Sequence, residues 1–309
     1  MVTSALPLPA KARARRLATR LASQVPEWWH LLSLDAPTVA ALWAWSFARV
    51  VHVPLPAASI SILALGTWLI YVADRILDGL HVRSAVQLRP RHFFHARHRH
   101  AFLLAALAAG TTLVWLIFAR MLPEARLEDY WLFSAAMLYF AVVHLLGGLR
   151  GAHVERWFPK EIAVGVLFAL ATAVPAWSRA SGQRAALALP ALLFGVLCCL
   201  NCLAIEAWES LPLTANASST PRTRPVVRWA QRHLSRIAFS VVLAAAMLMV
   251  LSRNANPASG LLYLAALASA LLLGALHLGR HRLPLMHLRI AADAALLTPL
   301  LLILLPLHR

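Results

Sequence analysis

Apolar runs of about 20 residues recur along this 309-residue chain, and no other property restricts its fold so severely. In hydrocarbon every backbone N–H and C=O must find a partner inside the protein, so runs of that length dictate membrane-crossing helices. Charged residues make up only 13% of the chain, about half the share of a soluble domain, which excludes an ordinary water-exposed surface. The expected fold is an all-α polytopic membrane bundle of about nine transmembrane helices. They are predicted at 36–55, 57–77, 101–122, 130–148, 161–178, 186–207, 237–252, 260–279 and 288–307. Pro54 and Pro56 shorten the first connection, so helices one and two should be antiparallel neighbours, and Pro175 interrupts the fifth.

The formal net charge of +17 would suggest nucleic acid in a soluble protein. Here the basic residues lie mainly in the connections, where the positive-inside bias collects them; anionic lipid is the expected partner and nucleic acid is not. Lys11, Arg13, Arg15, Arg16 and Arg20, the arginines after helix two, and Arg222, Arg224, Arg228, Arg232 and Arg236 fall on one side. The other side holds Arg49, Arg120, Arg126, Arg179, Arg184, Arg253 and Arg309. This asymmetry places the N-terminus in the cytoplasm. Residues 1–35 form a basic cytoplasmic tail and 36–307 a single transmembrane domain, with cytoplasmic loops 79–100, 149–160, 208–236 and 280–287. No cleavable signal peptide is expected, and the bacterial inner membrane is the expected location. Cys198, Cys199 and Cys202 crowd one helix as small packing residues.

Acids at the ends of two apolar runs carry the functional signal: Asp74 and Asp78 close helix two, Glu206 and Glu209 close helix six. Ionisable groups at membrane depth need a reason, and both pairs are predicted on the cytoplasmic face. Asp74 and Asp78 are four apart and share a helix face, a spacing that suits Mg²⁺, a hard cation with oxygen ligands. Arg75 between them suits a phosphate. The plainer reading is two interfacial helix ends, with solvated acids, a snorkelling Arg75 and Trp208 as an aromatic anchor.

The run Ile70-Tyr71-Val72-Ala73-Asp74-Arg75-Ile76-Leu77-Asp78 resembles the first motif of the UbiA-type intramembrane prenyltransferases, Asn-Asp-x-x-Asp-Arg-x-x-Asp. Asp74, Arg75 and Asp78 match its second half, while Ile70 and Tyr71 replace its Asn and first Asp. Ser33-Leu34-Asp35-Ala36-Pro37 also resembles the start of such proteins. The family's second motif, two acids four apart at the end of helix six, meets Asn201-Cys202-Leu203-Ala204-Ile205-Glu206-Ala207-Trp208-Glu209. Aligning Glu206 leaves Cys202 opposite the partner acid, and aligning Glu209 leaves Ile205.

The resemblance implies Mg²⁺-dependent transfer of a prenyl group from a prenyl diphosphate donor to an apolar acceptor. Asp74, Asp78, Glu206 and Glu209, with Asn201, would be the metal ligands and catalytic acids. Arg75 and Lys160, in Phe158-Pro159-Lys160-Glu161, would bind the diphosphate. With part of the carboxylate set replaced, a non-catalytic relative that binds a lipid phosphate is the second reading, and a small transporter the third. Tyr139 and His144 are expected as structural groups, and Arg289 and Asp293, four apart, as an internal pair. The run holding His92, His95, His98 and His100 is expected as a solvated basic loop, or as a cap over the diphosphate.

Overall fold

The structure, a computed structural model, describes residues 24–81, 90–121, 123–140, 160–215, 225–255 and 257–303. Among them no strand occurs. The helices are α1 (Gln24–Leu31), α2 (Asp35–Val50), α3 (Ala57–His81), α4 (Pro90–Arg97), α5 (Arg99–Arg120) and α6 (Pro123–Phe140). There follow α7 (Lys160–Trp177), α8 (Arg184–Ala215), α9 (Pro225–Ala255), α10 (Pro257–Gly279), α11 (Leu285–Ala294) and α12 (Leu300–Ile303). Among the described residues six helices, α3, α5 and α7–α10, are long and apolar enough to cross a membrane. The pair α1 and α2, bent by 89°, makes a seventh when taken as one span. The chain is an all-helical membrane protein.

Three of the nine expected spans take a different form. The first is α2, only 16 residues, stopped at Val50 where His52 adopts a left-handed φ of 53° before Pro54 and Pro56. The fourth starts earlier, at Pro123, and 141–148 lie outside the described residues. The ninth is broken into α11, a 3-10 turn at Ala295–Leu297, and α12. The break is tolerated because its polar groups have partners. Trp43 Nε1 donates to Leu296 O at 2.8 Å, and Thr298 Oγ1 donates to Ala265 O at 2.7 Å while bonding Ser269 Oγ at 2.7 Å.

The core lies where α2, α8 and α10 meet. Trp43, Phe47 and Phe194 are wholly buried, with the Trp43 and Phe194 rings stacked at 4.3 Å. Helices α7 and α8 pack so closely that a Cβ on Gly165 would sit 2.7 Å from the Cys199 backbone nitrogen, the approach that small residues allow between membrane helices. Pro175 does not stop α7, which runs on to Trp177. By contrast α5 and α6 are peripheral: Leu104, Leu107, Phe118, Leu127, Trp131 and Leu138 are all exposed, as hydrocarbon-facing side chains are.

Two segments expected in water are helical and each buries one histidine, while most of their other described residues are exposed. Residues 24–31 are helical and bury His30, so the folded body reaches into the expected N-terminal tail. The histidine run is the helix α4 leading into α5, and His95 is fully buried, stacked on Phe102 at 4.0 Å. His95 packs because Phe94 and Phe102 give that helix an apolar face which a solvated loop would waste.

Candidate functional site

The sharp turn between α1 and α2 builds the first half of the site. Ser33 sits there at φ 61°, a strained conformation for a residue with a Cβ, and is completely buried. Its hydroxyl accepts from Arg75 Nη1 at 2.6 Å and lies 3.1 Å from His95 Nε2, tying the turn to α3 and α4. Arg75 Nη1 also donates to His30 O at 2.9 Å, and its Nη2 lies 3.5 Å from Asp35 Oδ2. His30 Nδ1 meets the same Asp35 oxygen at 2.7 Å and stands 3.7 Å from Asp293 Oδ2 on α11. The Asp35 Oδ1 atom accepts from the Ala36 amide, and Asn201 Nδ2 on α8 donates to Asp293 Oδ1 at 3.0 Å. Four elements distant in sequence thus converge on two carboxylates, an arginine and a histidine, nearly all out of solvent.

Beside this network is a pocket of about 30 Å³, bounded among others by Asp35, Tyr71, Cys198, Asn201, Cys202 and Asp293. The Asn201 Oδ1 atom is buried without a hydrogen-bond partner among the described residues. Tyr71 is within electrostatic range of Asp35, Asp293 and Cys202, and Cys202 within range of Lys160, Glu161 and Asp293. The two positions where the resemblance expects missing acids, Tyr71 and Cys202, therefore face one pocket, and Asp35 and Asp293 bring carboxylates to it from other helices.

On the far side of Tyr71 lies a chamber of about 610 Å³ between α3, α5, α6 and α7. That volume is within the roughly 300–1,000 Å³ of ligand pockets. Tyr71, Val164 and Phe168 line both spaces and form the partition between them. The chamber wall is almost entirely aliphatic and aromatic, and Ser59, Arg126, Tyr130 and Arg179 supply most of its polar groups. Among the described residues α3 packs on α5 and α6 on α7, while α5 and α6 pack little on each other.

The predicted site residues divide among these features. Asp74 lies three residues beyond Tyr71 and Glu206 four beyond Cys202, so each continues, by one turn, a face that lines the small pocket; both are half-buried. The Asp78 side chain lies outside the described residues. Lys160 opens α7, half-buried, next to the wholly packed Glu161. Arg75 is 3% exposed and its guanidinium is engaged with the α1–α2 turn. Glu209 Oε1 accepts from Arg289 Nη1 at 2.6 Å, and Asn201 holds Asp293, so the internal Arg289–Asp293 pair gives way to two bonds between α8 and α11. Side chains at Tyr139 and His144 lie outside the described residues. Sequence reasoning missed His30 and the roles of Asp35 and Asp293; the Ser33–Pro37 phrase was the one signal at hand.

The donor chemistry tests the Mg²⁺ expectation. Asp74 and Glu206 are oxygen donors, the ligand type that a hard cation takes, each one turn beyond a residue that lines the small pocket. Glu209 Oε1 is taken by Arg289, while Asn201 gives its Nδ2 to Asp293 and leaves its Oδ1 a buried oxygen without a hydrogen-bond partner among the described residues. Of the His/Cys/Asp/Glu groups among the described residues, His30, Asp35 and Asp293 bring one ligand atom each to within 4.8 Å of one another. With Arg75 against Asp35 and a nitrogen in the set, that cluster suits a closed ion-pair lock and not Mg²⁺. Compared with protein-family models, curated proteins and solved structures, the chain matches none.

Proposed function

We propose that this chain is a Mg²⁺-dependent intramembrane prenyltransferase of the UbiA type, moving an isoprenoid group from a prenyl diphosphate to an apolar acceptor. In this reading it crosses a bacterial inner membrane nine times with its N-terminus in the cytoplasm. The observation that carries the proposal is the aliphatic chamber running along α3 to Tyr71, one turn before Asp74. A branched hydrocarbon tail fits such a lining, and the diphosphate would then lie where the α3 and α8 acids converge.

Asp74 and Glu206, with Asp78, would hold the ion, which when bound neutralises charge building on the leaving diphosphate. Lys160 adds a cation near Cys202. Tyr71, Val164 and Phe168 separate the tail from the polar pocket and keep water from the hydrocarbon side. Arg75 acts as a positioning residue, fixing the α1–α2 turn through Ser33 and Asp35.

A second reading, a non-catalytic binder of lipid phosphate, draws support from the protein partners of Arg75 and Glu209, which already engage two groups of the expected set. Geranylgeranyl diphosphate turnover by detergent-purified chain, with and without Mg²⁺, separates the two. Mg²⁺-dependent diphosphate release abolished by Asp74→Asn and by Asp78→Asn supports transfer. Tight binding without release supports the second reading, and neither binding nor release by folded protein removes both.

A further inference from the structure

The chamber has a second polar end, opposite Tyr71, that the transferase reading does not use. It is marked by Ser59 at the start of α3, Met121 after α5, Arg126 in the first turns of α6 and Arg179 after α7. Arg126 Nη2 donates to Phe118 O at 3.2 Å and Met121 O at 3.0 Å, and its Nε is buried with no hydrogen-bond partner among the described residues. Arg179 Nη1 donates to Pro175 O and Nη2 to Ser59 Oγ, both at 2.9 Å. These bonds cap helix carbonyls but cancel no formal charge. Partial burial pulls the Arg179 guanidinium below its ordinary value.

The sequence offers little to neutralise it. No Asp or Glu occurs at 36–73, 79–123 or 162–205, the stretches that build α2, α3 up to Ala73, α5, most of α7 and the α7–α8 connection. The acids of this end are Glu124, Glu128 and Asp129 on α6, set against Arg49, Arg120, Arg126, Arg179 and Arg184. Even if each acid were matched to one arginine, cations are left over, and Arg179 comes from an acid-free stretch. A cation facing an apolar cavity calls for an anion that brings hydrocarbon with it.

We propose that the Ser59 end of the chamber binds the anionic head group of a membrane phospholipid, held by Arg126 and Arg179, with one of its tails lying along the chamber toward Tyr71. The guanidinium fork suits phosphate oxygens. Basic pockets between membrane helices are the known form of such recognition. Among the described residues α5 and α6 pack little on each other, and a lipid entering sideways from the bilayer would use that side, a route that a water-soluble anion does not need. The inference stands apart from the transferase reading, because it concerns the other end of the chamber. If both hold, lipid and isoprenoid compete for one space.

The test uses the full chain purified in mild detergent. Retention of phosphatidylglycerol and of phosphatidylcholine with identical tails is measured by native mass spectrometry, with inorganic phosphate as competitor. Wild type should retain phosphatidylglycerol about tenfold better than phosphatidylcholine, and Arg126→Gln and Arg179→Gln should each remove most of that preference. Gly66→Leu is a charge-neutral control: a Cβ there meets no atom within 4 Å, so the side chain fills the chamber and should reduce retention of both lipids. Equal retention of the two lipids by wild type overturns the proposal. So does indifference of retention to Gly66→Leu, which would put the lipid elsewhere. Displacement of the lipid by millimolar inorganic phosphate would make the site one for the free ion. Should the arginine variants not fold, the wild-type comparison and Gly66→Leu still decide.

Discussion

Replacing Arg75 by Met removes the charge while keeping most of the side-chain volume, and the structure assigns the consequence to stability first. Arg75 and Asp35 are each about 3% exposed, so their charges compensate one another in a medium that screens weakly. Removing one partner of a buried pair costs about 3–5 kcal/mol, chiefly because the other charge is left uncompensated. The donations to His30 O and Ser33 Oγ belong to the same group and overlap with that figure, so the expected loss stays near it. The assay is equilibrium unfolding in mixed mild-detergent and dodecyl-sulfate micelles, followed by tryptophan fluorescence. Asp35→Asn and the double variant complete a cycle. The second change should matter less once the first is made, with a coupling of about 1–3 kcal/mol. A loss below about 1 kcal/mol for Arg75→Met, or strict additivity, refutes the lock. An Arg75→Met protein of unchanged stability that no longer binds prenyl diphosphate would return Arg75 to the ligand set.

Three further outcomes test the packing. Gly165→Ala should destabilise the fold by about 1–3 kcal/mol in the same unfolding assay, since its Cβ meets the rigid backbone of Cys199, whereas Gly66→Ala, facing open space, should be close to neutral. Trp43→Phe leaves Leu296 O without its 2.8 Å donor at the broken ninth segment, and hydrogen exchange at 295–299 should rise with a loss of about 1–3 kcal/mol. Ser33→Ala keeps the left-handed backbone but strips the hydroxyl from Arg75 and His95; its loss should exceed that of Ser33→Gly, where relief of φ strain offsets part of the same missing bonds.

Membrane helices were legible because a 20-residue apolar run has few fates. Breaks inside them were not: 288–307 reads as one span, and Trp43, Ala265 and Ser269, far off in sequence, supply the partners that let it divide. The acids of α3 and α8 announced themselves as charges against an apolar background. Asp35 and Asp293 did not, since Asp35 opens a helix where an acid is unremarkable and Asp293 has Arg289 one turn before it, and their meeting through His30 depends on an 89° bend that propensity does not encode. Arg75 read as a phosphate ligand by its motif, and its engagement with Ser33 follows from the position of α1, which the apolar pattern left in the tail. Likewise Glu209 and Arg289 read as two separate features, and only the packing of α11 on α8 made them a pair.

The closure of the network around Asp35 bears on how the chain is made. Asp35 and Trp43 leave the ribosome well before Asp293 and the Leu296 carbonyl, which lies 253 residues beyond Trp43. Until α11 arrives, α2 carries an unmet indole N–H, Asn201 lacks its acceptor and Glu209 lacks Arg289. A nascent chain therefore carries a polar seam while the intervening helices are made, and the docking of α11 closes all of it in one step.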